Sequence, residues 1–300
     1  MNIVSASVGV DIPSIMVREM FGWVEFKGSK TIYVGTEDCE VIILAPTAFT
    51  PYTITLSQSW QKIHELAEEG AEVVFKRDGI TLGNDLHIAF RGIDGPPHLP
   101  KGVIPPIEMI HLAHRIQNIL LSSLNMESVL VEGAAIVRQY DHPDSHRLLK
   151  SLMNLIGVGS GMTPAGDDFA SGVLLALHTV GIDYEAQPLV DHAAEVSRWP
   201  SWRMLEHSSH GCTYRHLVRL YHAMVEGDSD AVVDGVVHTM SLGSSSGSAL
   251  LTGFLETLTV FYPVYPSNPA QSPVEEPTQP PPHPLPDVSG SRRRWLHRPQ

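Results

Sequence analysis

Apolar residues recur with two different periods along this chain, and the change of period divides it. In the first hundred residues they form short runs rich in β-branched and aromatic side chains, at 31–34, 41–44, 52–56, 71–75 and 86–90. Such runs, punctuated by Gly35, Asp38, Pro46 and Pro51, predict strands. Asp78-Gly79 predicts a hairpin turn between the last two. One helix interrupts the strands at 59–67, where Trp60, Ile63, Leu66 and Ala67 share a face. Ser57 or Ser59 suits its cap, and Gly70 ends it.

A connector rich in proline and glycine follows, from Gly95 to Pro106. Beyond it apolar residues recur every three or four positions. They predict helices at 107–124, 145–155, 167–180, 189–196, 213–225, 231–240 and 248–260. The expected fold class is α+β, with a β-rich subdomain over 1–104 and a mainly helical subdomain over 105–262. Residues 263–300 differ in kind, since 11 of these 38 are proline. Too little apolar surface is available there to offset the entropy of ordering, so a disordered tail is expected. Its basic end, Arg292-Arg293-Arg294-Trp295, reads as a solvated segment.

Composition narrows the function. Of the 300 residues, 43% are hydrophobic, enough for a real core. The formal charge is −13, with charged residues dispersed among apolar ones. Nucleic-acid binding needs clustered Lys and Arg, so that class of partner is not expected. Small molecules and other proteins remain. Two cysteines, Cys39 and Cys212, exclude a disulfide scaffold and point to a reducing, cytoplasmic setting. Asp11, Pro13, Arg18 and Glu19 break the N-terminal apolar residues, unlike a signal peptide, and no apolar run is long enough to span a membrane.

The strongest candidate site is the glycine-rich segment 157–168, which feeds the predicted helix at 167–180. Gly157, Gly159 and Gly161 permit positive φ and close approach of a ligand to the backbone. Thr163 suits the helix cap and Pro164 the first helical position. The amides of that first turn, with Ser160 and Gly166 nearby, favour an anion such as phosphate or carboxylate. Asp167 and Asp168 sit beside them and project about 100° apart on a helix. Three roles are open to this pair: accepting hydrogen bonds from a substrate amide or amine, holding a divalent cation, or stabilising the helix start. The segment lacks both the dinucleotide-binding and the P-loop patterns. A second loop, Gly243-Ser-Ser-Ser-Gly-Ser248, opens the predicted helix at 248–260. Gly243, Ser245, Ser246 and Gly247 would form the other half of one pocket.

Other chemistry reads as weaker. His207, His210, His216 and His222 cluster in sequence without an H-E-x-x-H or C-x-x-C pattern, so they read as surface or supporting histidines. Glu108, His111 and His114 read as a solvated helix face. Ser208, Ser209 and Cys212 precede a helix and can line a pocket, but Cys212 has no evident partner as a nucleophile. Ser160 lacks a nucleophile-elbow context. No metal site and no resident cofactor are expected, a divalent cation at the aspartates being the open alternative.

The two loops together carry a resemblance. Gly159-Ser-Gly-Met-Thr-Pro-Ala-Gly-Asp-Asp-Phe-Ala-Ser-Gly-Val-Leu-Leu-Ala176 resembles the G-x-G-L-T-P-[S/A]-x-D-D-x-L-x-G-x-L-L-A motif of the AllH family. Leu242-Gly-Ser-Ser-Ser-Gly-Ser-Ala-Leu-Leu-Thr-Gly253 is similar to that family's later element. The resemblance spans residues 33–260. It implies an oxamate carbamoyltransferase subunit of allantoin and purine nitrogen breakdown, working with partner subunits on small anionic amides and carbamoyl phosphate. Carried onto this sequence, it implies a site of Gly159, Gly161, Thr163, Gly243, Ser245, Ser246 and Gly247, with Asp167 and Asp168 as the catalytic candidates; Ser160 and Gly166 of the first loop complete the expected ligand-binding set. Two positions depart from the pattern: Ser244 stands where the family has His, and Ala249 where it has Asp. A metal-dependent hydrolase using the two aspartates and a non-catalytic scaffold subunit are the alternatives.

Overall fold

The computed structural model describes residues 2–57, 60–83, 86–122, 128–140 and 144–262. The expected tail at 263–300 lies outside them. The class is α+β, strand-rich first and mainly helical after. The strands are β1 (Asn2–Val8), β2 (Met20–Lys27), β3 (Ile32–Thr36), β4 (Val41–Ala45), β5 (Thr53–Thr55), β6 (Glu72–Lys76), β7 (Gly79–Leu82) and β8 (Leu86–Ile93). They close into a barrel in the order β1-β5-β4-β3-β2-β6-β7-β8, with β1–β8 and β4–β5 parallel and the other pairs antiparallel. Closure removes the exposed edges that an open sheet would present.

Three of these strands, β1, β2 and β7, escaped the apolar pattern. β2 alternates well, with Met20, Gly22 and Val24 inward, but its outward positions include Phe21 and Trp23, both more than 40% exposed. That masks the period-two pattern. β1 sets Ser5, Ala6 and Ser7 between its β-branched Ile3, Val4 and Val8. β4, by contrast, is buried at all five positions and reads as one continuous apolar run, as a strand covered on both faces should. The Asp78-Gly79 hairpin does not join the runs at 71–75 and 86–90 as expected: it links β6 to the unpredicted β7, and its turn shifts by one residue, since Lys76 pairs with Gly79 and Arg77 and Asp78 make the turn. Gly79 is needed for contact instead, since a Cβ there would lie 2.3 Å from the Ile88 carbonyl oxygen of β8. Two short helices, α1 (Ile12–Ile15) and α2 (Trp60–Leu66), lie in the connections. In α2 Ile63 is buried, whereas Leu66, expected on the same face, is 53% exposed.

The helical part comprises α3 (Ile107–Ser122), α4 (Ser128–Arg138), α5 (Ser145–Leu152), α6 (Ala165–Val180), α7 (Gln187–Val196), α8 (Ser201–Ser209), α9 (Arg215–Glu226), α10 (Ser229–Met240) and α11 (Ser246–Phe261). Every residue of α6 except His178 is buried, so it is the axis around which the others pack. Its main partner is α11. The two backbones touch: a Cβ on Gly172 would fall 2.1 Å from the Leu250 carbonyl oxygen, and one on Gly253 2.1 Å from the Phe169 carbonyl oxygen. Helix α4 went unread because Gly133 interrupts its pattern. That glycine lies against the Phe169 ring, 2.8 Å from where its Cβ would be. His114, expected to be solvated, instead bonds Glu256 of α11 at 3.0 Å, with Arg138 of α4 on the same carboxylate.

The barrel docks on α8 and α9 through the β3–β4 turn and the segment before β5. Glu40 pairs with Arg203 and His207 of α8, Tyr52 stacks on His207 at 4.6 Å, and Arg215 donates its amide to Phe49 O at 2.8 Å. Burial pushes the Glu40 carboxyl up, but the His207 hydrogen bond and the Arg203 charge outweigh it and hold it at about 2. Relative to its usual 4.5, that depression corresponds to about 3 kcal/mol of stability. The contribution is complete above pH 4.5 and drains away as pH falls towards about 2. Glu40→Gln should therefore be destabilised at neutral pH and converge on the wild type under acid. Denaturant unfolding at stepped pH checks this; a constant gap between the two proteins would contradict it.

Candidate functional site

The first glycine loop runs from the end of a 3-10 turn (Met153–Leu155) to α6. Gly159 has φ +127°, a region closed to other residues. Gly166 packs inward: its Cα faces Leu155 O, where a Cβ would lie at 1.8 Å, and its amide donates to Val158 O at 2.9 Å. Part of the α6 first turn is thereby spent on closing the loop upon itself. Ser160 and Gly161 are exposed. Among the described residues no protein acceptor is found for the amides of Gly159, Ser160 and Gly161.

Thr163 does not cap the helix. Pro164 takes the cap position, and no side chain completes it. The Thr163 hydroxyl instead meets the Ser246 hydroxyl at 3.0 Å. This contact joins the two loops, which stand 83 residues apart in sequence. In the second loop Ser245 caps α11 without a side-chain bond, Gly243 and Ser244 are exposed, and Gly247 lies against Thr239 O. Ala249 is fully buried in α11.

The two aspartates separate as adjacent helical residues must. Asp167 is 1% exposed, and both of its oxygens are engaged. Oδ1 accepts the Gly157 amide at 2.6 Å, and Oδ2 accepts the Ser201 hydroxyl at 2.6 Å and the Ser197 hydroxyl. It clamps the start of the loop to the start of α8. Asp168 faces a cavity of about 10 Å³, room for one water, lined also by Tyr52, Ser171, Ser201, Ser208 and Cys212. None of the loop glycines lines it. Burial first, and the Asp168 charge second, push the Tyr33 phenol up to about 12 and the Tyr214 phenol well above its usual range. A larger hollow of about 510 Å³, between α1 and β8, contains none of the expected site residues.

Cys212 does have partners, contrary to expectation. Its Sγ lies 3.3 Å from His98 Nε2 and 3.4 Å from Asp11 Oδ2, while His98 Nε2 lies 2.8 Å from Asp11 Oδ1. Burial and the Asp11 charge push the Cys212 thiol well above its usual value, so alone it is no thiolate nucleophile. Asp11 is lowered on balance: burial raises it, and the His98 bond and charge, with the Cys212 bond, pull it down further. The clue in sequence was His98 standing among the prolines of the connector. Its partners are 87 and 114 residues away, beyond any local spacing rule.

No curated protein and no solved structure matches the chain. The segment that carries both loops and the two aspartates, residues 155–258, matches the family model of the oxamate carbamoyltransferase subunit AllH.

Proposed function

We propose that the chain is a carbamoyltransferase-related subunit that binds a small anionic amide or acyl phosphate, of the oxamate or carbamoyl phosphate kind, where the two glycine loops meet. The observation that carries this reading is the Thr163–Ser246 contact, which brings both elements of the matched segment to one surface. The exposed amides of Gly159, Ser160 and Gly161 supply donors of the type that cradle phosphate and carboxylate oxygens. The cavity beside Asp168 admits one water and no ligand of several heavy atoms, which favours the loop surface. On this reading Asp167 positions the loop through Gly157, and partner subunits complete the catalytic unit.

Titration calorimetry with carbamoyl phosphate, oxamate and oxalurate tests it. The wild type should bind at least one of them. Ser160→Glu, which sets a like charge among the exposed amides, should weaken that binding about tenfold or more with an unchanged melting temperature. Absence of binding by all three ligands to the folded wild type would overturn the reading. Ser244 and Ala249, which depart from the family pattern, favour a second reading, a subunit that binds without catalysing. Turnover of carbamoyl phosphate by the purified chain would exclude it.

A further inference from the structure

We propose that Asp11, His98 and Cys212 form a three-ligand site for a divalent transition metal, best suited to Zn²⁺, with a fourth position left to water. The three donor atoms come from three separate segments: the turn before α1, the proline-rich connector and the turn between α8 and α9. Each offers one atom, and all lie within 4.8 Å of one another. Metal–ligand bonds of about 2.0–2.3 Å in tetrahedral geometry set donor atoms roughly 3.3–3.8 Å apart. The Cys212 Sγ–His98 Nε2 distance of 3.3 Å already matches; Asp11 offers Oδ2 to the sulfur at 3.4 Å and Oδ1 to the imidazole at 2.8 Å, so a small turn of its carboxylate must set one oxygen on the ion.

The rival is a Cys–His–Asp relay. A relay needs the carboxylate on one imidazole nitrogen and the thiol on the other. Here both approach the same nitrogen, Nε2, so His98 cannot pass a proton along that line. Convergence of S, N and O on one point is the geometry of coordination. Thiolate, imidazole and carboxylate together match a borderline-soft ion, whereas Ca²⁺ and Mg²⁺ take oxygen.

The scaffold holds the three segments in place before any ion binds. The Leu99 amide donates to Gly211 O at 2.9 Å, pinning the residue after His98 to the one before Cys212. Asp11 donates its amide to Pro51 O at 2.9 Å, and Asp94 to Val8 O at 2.7 Å. Gly95 lies so close to Gly9 that a Cβ would fall 2.7 Å from its Cα. Cys212 is 4% exposed, whereas the His98 side chain is 41% exposed. One side of the site is therefore closed by protein, and the other gives an ion an entry path.

The test uses the full chain, freed of any histidine tag and of metal, titrated with Co²⁺ and then Zn²⁺. One equivalent of Co²⁺ should produce the visible bands of a tetrahedral ion and a near-ultraviolet thiolate charge-transfer band, both abolished by Zn²⁺. Cys212→Ser should lose the charge-transfer band, and Cys39→Ser should keep it. His98→Ala, at an exposed position that leaves the fold intact, and Asp11→Asn should each weaken Zn²⁺ binding roughly 100-fold or more, at or beyond the effect of losing a supporting hydrogen bond. No stoichiometric binding by the wild type, a band that follows Cys39, or unchanged affinity in His98→Ala would each overturn the proposal.

Discussion

Asp167→Ala should destabilise the protein by about 4 kcal/mol, the scale for removing one partner from a buried charged network. The loss has an identifiable origin. The Gly157 amide and the Ser197 and Ser201 hydroxyls all donate to this one buried carboxylate. Removing it strands three donors, the Ser201 hydroxyl buried and the Gly157 amide and Ser197 hydroxyl half-buried. Asp167→Asn should recover little, because its amide nitrogen turns a donor towards donors. Denaturant unfolding followed by circular dichroism gives the number, and a change under about 0.5 kcal/mol, the size of an ordinary surface substitution, would refute the clamp. Hydrogen exchange should localise the damage, with the Gly157 amide losing protection ahead of the body of α6.

Gly172→Ala should cost about 3 kcal/mol, and Gly253→Ala a similar amount, at the upper end of overpacking penalties. Each added methyl meets a backbone carbonyl 2.1 Å away, and a backbone cannot swing aside as a side chain can. The helices must part instead, which loosens the core on both sides of the crossing. Once α6 and α11 have been pushed apart by one methyl, the second finds room. The double variant should therefore fall well short of the sum of the two singles. Simple additivity in the four-way unfolding comparison would show that the two glycines do not act on a common crossing.

The strand-rich half was legible where strands bury both faces, as at β4, and illegible where exposed aromatics blurred the alternation, as at β2. Barrel closure was beyond reach, because β1 pairs with β8 across most of the strand-rich half. In the helical half, α6 and α11 stood out through their apolar density, while α8, with its polar run of Glu206, His207, Ser208 and Ser209, gave no period to read. The two glycine loops could be located from composition, and their junction through Thr163 and Ser246 is what the structure adds. Adjacent helical residues had to diverge, so the split between Asp167 and Asp168 was foreseeable in kind. Which of them turns towards Ser197 and Ser201 was not, since those serines lie 30 and 34 residues on. The grouping of Asp11, His98 and Cys212 was illegible for the same reason, since only tertiary contacts assemble it.

Gly172 and Gly253 answer to two carbonyl oxygens of the chain itself, whatever is held at the loops. The ligand could therefore change with both glycines still required, because losing either weakens the scaffold whatever chemistry the loops serve. The exposed serines Ser160 and Ser244 are under no such obligation. The need for both glycines is therefore a demand of the scaffold, and it is silent on the reaction served at the loops.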